Sequence, residues 1–155
     1  MVAHKGKVAL QGAFGYASRE RGEQMKEDHV FPIFSVSKAM IATGIMQYLD
    51  RGLICLTTPV AELLPAFAAS GKQRITIGQL LCHSGGMSGG LPMIPFEDQV
   101  NLEKAVVGIC MSKLEAMPGE TVSYSPIMGF AILGELIRLL DGGKRSLREV
   151  MDDTY

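Results

Sequence analysis

The chain has 155 residues, 47% of them hydrophobic, enough for one domain with a real core and too apolar to stay disordered. Fifteen basic residues against sixteen acidic ones leave a net charge of −1 with no basic block, which argues against nucleic acid as a partner. No apolar run approaches membrane-spanning length and no signal-peptide apolar region opens the chain, so a cytoplasmic location is expected as it stands; a periplasmic or secreted one stays open if Met1 is not the natural start.

Residues 2–4 and 7–17 flank Lys5-Gly6, a tight-turn pair, and read as an N-terminal antiparallel hairpin. The second strand carries Val8, Leu10, Phe14 and Tyr16, and Gly12 and Gly15 mark a bulge or a close backbone approach. Residues 19–29 are charged and turn-like, and His4 and His29 read as surface residues. From 36 to 49 the apolar residues cover nearly every face, which predicts a helix buried on most sides, stopped by Gly52. Thr58-Pro59 is expected to open a short helix as cap and first-turn proline. Thr76 caps another helix through Leu81, followed by the loop Cys82-His83-Ser84-Gly85-Gly86. Residues 89–95 are loop-like, and Met87 and Met93 fit either packing or the border of a cleft. Asn101 is expected to cap a helix to about residue 113. Pro118-Gly119 reads as a turn, and Ser125-Pro126 as the opening of a helix over 127–140 that Gly142 closes. Ser146-Leu147-Arg148-Glu149 has capping-box spacing and begins a last helix. Cys55, Cys82 and Cys110 form neither a zinc pattern nor a disulfide framework and read as buried free thiols. The order is one hairpin followed by helices. A two-stranded hairpin is marginal without further strands, so the chain reads as incomplete at both ends.

The segment Phe34-Ser35-Val36-Ser37-Lys38-Ala39-Met40 carries the most chemistry. Ser35 and Lys38 form an S-x-x-K pair at a helix entrance, and side chains three apart share one helix face. Serine is a poor nucleophile at neutral pH and needs a neighbour that takes its proton. Taken alone, the pattern is better read as an ordinary N-cap serine.

Several signatures follow in order along the chain: Gly12-Ala13-Phe14-Gly15-Tyr16-Ala17, then residues 31–40, then residues 75–87 with Cys82-His83-Ser84-Gly85-Gly86, then Pro118-Gly119-Glu120 with Tyr124-Ser125, then Ile132-Leu133-Gly134. This ordered set resembles the serine β-lactamase and penicillin-binding protein superfamily. It is most similar to the class C-type branch, which holds D-alanyl-D-alanine carboxypeptidases and family VIII carboxylesterases. The resemblance implies an α+β, β-lactamase/transpeptidase-like fold present in part. It further implies a single partial domain over residues 1–155, with 1–30 as hairpin and connection, 31–155 as catalytic helix and helical region, and the C-terminal sheet strands expected to be missing. It implies Ser35 as the acyl-accepting nucleophile, Lys38 as its proton partner with a pKa lowered by burial, and Tyr124 as partner base or proton relay. The Ser35 N–H is implied as half of an oxyanion hole. His83 reads as a loop-ordering residue rather than a base. Two departures from the family pattern stand out. Pro126 replaces the usual asparagine after Tyr-x, which favours esters over β-lactams or peptides. No K-T-G or H-x-G triplet follows Tyr124.

The resemblance therefore implies a serine hydrolase acting through an acyl-enzyme on an ester, β-lactam or D-Ala-peptide-like small molecule, with no metal and no organic cofactor. The alternatives are a truncated, weakly active or inactive member, expected to self-associate or to take up a complementing C-terminal segment, and a non-catalytic module that holds ligands in the same cleft.

Overall fold

The computed structural model describes residues 1–90, 92 and 94–155, so the expectation for Met93 lies outside the described residues. The chain divides into two compact units, Met1–Phe34 and Ser35–Tyr155.

The first unit holds two antiparallel hairpins rather than the single one expected. Strand β1 (Val2–His4) pairs with β2 (Lys7–Leu10), with His4 opposite Lys7 and Ala3 opposite Val8. Lys5 and Gly6 both have positive φ, +48° and +74°, the requirement of a two-residue turn whose twist matches the strands. The strand expected over 7–17 ends at Leu10. Gly15, at φ +84°, redirects the chain, and β3 (Tyr16–Ser18) pairs with β4 (Glu23–Gln24) inside the stretch expected to be only turns. His29 is half-buried rather than a plain surface residue. Its Nδ1 accepts the Lys26 N–H at 2.8 Å and its Nε2 faces Glu23 at 3.3 Å.

The second unit is helical: α1 (Val36–Asp50), α2 (Val60–Leu63), α3 (Ile77–Leu81), α4 (Leu102–Met111), α5 (Met128–Leu140) and α6 (Leu147–Asp152), with 3₁₀ turns at Pro65–Gly71 and Phe96–Asp98. Hairpins followed by helices make the fold α+β. No helix among the described residues is long and apolar enough to cross a membrane.

Local chemistry sets several of these boundaries. Thr76 and Gln79 form a reciprocal capping box at α3, Ser146 and Glu149 form one at α6, and the Asn101 side chain accepts the Lys104 N–H at α4. Two expected caps are not used. The Thr58 hydroxyl accepts the Cys55 N–H instead of capping α2. Helix α5 starts after Ile127 with no side-chain cap, and the Ser125 hydroxyl is buried without a partner among the described residues. A proline just before a helix sets φ but does not aim the preceding hydroxyl.

Helix α5 is the centre of this unit and packs against α1, α3, α4 and α6. Its Ile132, Leu133, Leu136 and Ile137 join Ile45, Phe67, Ile77, Leu80 and Ile109 in one core. At the α1–α5 crossing a Cβ on Gly44 would lie 2.8 Å from Ile137 Cδ1, so the helices approach through a missing side chain. Helix α1 is not buried on most sides. Only Gly44, Ile45 and Tyr48 are fully buried, while Val36 and Met46 are exposed. An all-round apolar helix leaves the choice of face to its neighbours, and α5 covers one stripe. The cysteines also divide: Cys110 is buried, Cys55 and Cys82 are exposed, and all are free.

Buried polar groups are few and mostly paired. Glu135 accepts two hydrogen bonds from the Arg138 guanidinium, at 2.9 and 2.7 Å, and Arg138 also donates to the Gly143 carbonyl. The fully buried Lys72 donates to the Ser112 carbonyl and lies 5.8 Å from the centre of the Phe67 ring. Phe67 is 0% exposed, so Phe67→Ala is expected to cost about 3–5 kcal/mol through lost transfer energy and a residual cavity. Urea unfolding of the two proteins, compared at equal slope, measures this.

Candidate active site

Phe34, immediately before α1, has φ +43°, an uncommon conformation for a bulky residue. Ser35 is already helical (φ −68°, ψ −8°), and its side chain makes no capping bond. An N-cap serine bonds the backbone of its own first turn. The Ser35 Oγ instead meets two side chains: the Tyr124 hydroxyl at 2.5 Å and the Lys38 Nζ, which donates to it at 3.3 Å. The plain-cap reading of Ser35 is therefore not what the geometry shows.

Lys38 lies one turn further along α1, on the same face as Ser35. Its Nζ is 5.2 Å from the centre of the Tyr124 ring and 5.6 Å from that of Phe130 on α5. An ammonium at these distances is attracted by ring quadrupoles. The deep apolar burial expected for Lys38 is absent; it is half-buried, because the face of α1 that carries it is only partly covered. The Ser35 hydroxyl first, and Lys38 second, hold the Tyr124 phenol below its ordinary pKa. Contacts that favour the phenolate do this directly.

Tyr124 sits in an irregular segment between the Pro118-Gly119 turn and α5. The loop after α3 braces that segment with a row of backbone bonds. Glu115 N–H donates to the Gly86 carbonyl at 2.9 Å, Gly119 N–H to Ser84 at 2.7 Å and Ser123 N–H to His83 at 2.9 Å. Gly86 is required at the closest point. Its φ is +70°, and a Cβ there would lie 2.1 Å from the Ala116 carbonyl oxygen. His83 has φ +57°, and its Nδ1 accepts the Ser125 N–H at 3.3 Å. Its ring centre is 4.8 Å from that of Tyr124 and 5.4 Å from that of Phe130. Burial first, and the Lys38 charge second, push the His83 imidazole below its ordinary pKa.

The structure thus brings Ser35, Lys38 and Tyr124 together and places the His83 ring beside them. Met87 is buried in the core rather than bordering a cleft. Phe130 was not singled out from the sequence. It is a lone aromatic in an apolar helix, and nothing in that pattern marks it as a neighbour of Lys38. Among the described residues no three His, Cys, Asp or Glu side chains converge in a way that could hold a metal ion.

A sequence model of the family described as Beta-lactamase matches residues 1–155. The chain is 34% identical over 133 residues to Penicillin-binding protein 4 of Amycolatopsis lactamdurans, an alignment that covers 84% of this chain and 35% of that protein. It is 28% identical over 163 residues to Esterase EstB of Burkholderia gladioli, covering 92% of this chain and 40% of the esterase. Among solved structures, a family VIII carboxylesterase superposes with a TM-score of 0.80 at 29% identity, over 88% of this chain and 37% of that one. The chain therefore spans less than half the length of each of these relatives.

Three outcomes are expected from the geometry. In a spectrophotometric titration Tyr124, identified by its loss in Tyr124→Phe, ionises at lower pH than Tyr48, whose phenol is pushed up by burial. Ser35→Ala moves the Tyr124 transition to higher pH. Gly86→Ala is expected to cost about 2 kcal/mol or more, from left-handed backbone strain and the clash with Ala116. A thermal melt measures the loss.

Proposed function

Because the chain belongs to the β-lactamase family, we propose that it is a serine hydrolase that works through an acyl-enzyme on small ester substrates. One observation carries the reading: the Ser35 hydroxyl makes no cap and is bonded by both the Tyr124 hydroxyl and the Lys38 ammonium. Two groups able to exchange its proton on one serine Oγ form the arrangement that nucleophilic catalysis requires.

In the proposed reaction Ser35 Oγ forms a bond to the substrate carbonyl carbon while its proton passes to the basic oxygen of Tyr124. The Ser35 and Lys38 contacts favour the phenolate form that lets Tyr124 act as the base. The Ser35 N–H, one of the free donors at the start of α1, is the proposed oxyanion contact. Collapse of the tetrahedral adduct breaks the ester C–O bond, and the departing alkoxide takes its proton back through Tyr124. Water then adds to the acyl carbon, gives a proton to the same relay, and the acid leaves as Ser35 Oγ is reprotonated.

Esters are favoured over amides for a reason particular to this chain. Pro126 follows Ser125 where the resembled pattern has asparagine, and a proline offers no side-chain amide to hold a substrate amide. The names of the esterase and carboxylesterase relatives support the same choice.

Intact-mass measurement after incubation with a fluorophosphonate and, separately, a penicillin tests the assignment. The expected result is a single fluorophosphonate adduct that maps to Ser35 and is absent from Ser35→Ala. An adduct that survives Ser35→Ala overturns it. Lys38→Met and Tyr124→Phe are expected to slow adduct formation by about 10²–10⁴-fold, the range for removal of general acid–base help.

A further inference from the structure

The weak point of the site is the chain around Tyr124. Residues 121–127 belong to no helix or strand, so no regular ladder of hydrogen bonds fixes them. Yet the phenol hydroxyl has to be held at hydrogen-bond distance from Ser35. The two residues that flank Tyr124 are both tied to one residue. Ser123 N–H donates to the His83 carbonyl, and Ser125 N–H donates to His83 Nδ1. The His83 ring also packs, tilted by 52°, against the ring of Tyr124 itself.

We propose that His83 is a positioning residue which, as the neutral tautomer with its proton on Nε2, clamps both neighbours of Tyr124 and so keeps the phenol hydroxyl on Ser35. The tautomer follows from the contact: Nδ1 accepts a backbone N–H, so the ring proton is on Nε2. His83 takes no part in proton transfer to substrate; it acts through Tyr124.

The clamp has a chemical condition. An imidazolium carries hydrogen on both ring nitrogens, so protonation turns Nδ1 from an acceptor into a donor facing another donor, and the bond to Ser125 is lost. The charged and titratable groups that face His83 are Lys38 from α1 and the Tyr124 phenol from its own segment; α5 presents the uncharged Phe130. Burial and Lys38 both oppose the imidazolium and hold the ring neutral to lower pH than an ordinary histidine. With the folded pKa lowered, the clamp is complete above the ordinary histidine range. It is lost as pH falls through the lowered value.

Asparagine is the informative substitution. Its Oδ1 reaches roughly the place of Nδ1, it tolerates the left-handed backbone at position 83, and it does not titrate. Phenylalanine keeps a ring against Tyr124 and removes the acceptor.

The test is the rate of Ser35 labelling by a fluorophosphonate as a function of pH for the wild type, His83→Asn and His83→Phe, each checked for folding by its thermal melt. His83→Asn is expected to label near the wild-type rate at neutral pH and to lack the His83-dependent loss of rate on the acid side. His83→Phe is expected to label about ten-fold or more slowly at neutral pH, the effect of one lost hydrogen bond of about 1.4 kcal/mol in a coupled site. A His83→Asn profile with the wild-type acid limb, or a folded His83→Phe that labels at the wild-type rate, overturns the proposal.

The consequence for labelling rests on the serine-hydrolase reading, and ¹⁵N NMR separates the two. If the wild type forms no adduct, that reading fails and NMR alone decides the clamp. The expected spectrum has the His83 proton on Nε2, with the Ser125 amide moving at the same pH as the ring. A Ser125 amide that ignores the His83 titration overturns the clamp.

Discussion

The contact between Ser35 Oγ and the Tyr124 hydroxyl joins residues 89 positions apart, and the rest of the helical unit can be understood as what holds it. Ser35 stands at the start of α1 and Tyr124 just before α5. Lys38 lies near Phe130, and Gly44 meets Ile137 further on, so the two helices run in the same sense from the site. From Ser35 to Gly44, and from Met128 to Ile137, is in each case about 13 Å of helix at 1.5 Å per residue. The Gly44–Ile137 crossing is therefore a fixed point about two and a half turns behind the chemistry, and any change of crossing there reaches Ser35 and the start of α5 through rigid rods.

Helix packing alone does not reach Tyr124, which sits outside any helix. The loop after α3 fills that gap. It starts from a capping box that fixes the phase of α3 and ends at Gly86, where the backbone lies too close to Ala116 for any side chain. Between these ends each carbonyl of His83, Ser84 and Gly86 accepts a hydrogen bond from the 115–123 segment. Backbone-to-backbone bonds of this kind satisfy irregular chain that would otherwise carry unpaired polar groups. They also make the position of Tyr124 a property of another part of the chain.

The buried polar groups follow the rule that charge enters the core only with partners. Arg138 meets Glu135 in a two-pronged contact, and Lys72 ends on a backbone carbonyl. Ser125 is the exception, buried beside the catalytic candidate with a hydroxyl that has no partner among the described residues. Near Ser35 the balance differs. Tyr124 is 51% exposed, and Lys38 lies on a partly open face of α1. The site is thus built at the edge of the core, open to solvent, with the rings of Tyr124 and Phe130 facing the lysine.

Much of this was legible in the sequence because it is local. The caps at Thr76, Asn101 and Ser146, the turns at Lys5-Gly6 and Gly119, and the span of α1 each depend on a few neighbouring residues. So does the placement of Lys38 one turn from Ser35. Tyr124 joined them through the ordered motifs of a family, not through any spacing of its own. What the tertiary structure alone decided is non-local. It chose which stripe of the uniformly apolar α1 is buried, and it split the expected long strand at Gly15. It left Thr58 and Ser125 unused as caps, brought Phe130 to Lys38 and tied both neighbours of Tyr124 to His83. A cap competes only with its own turn, whereas these outcomes depend on which distant surface arrives, and the chain order does not state that.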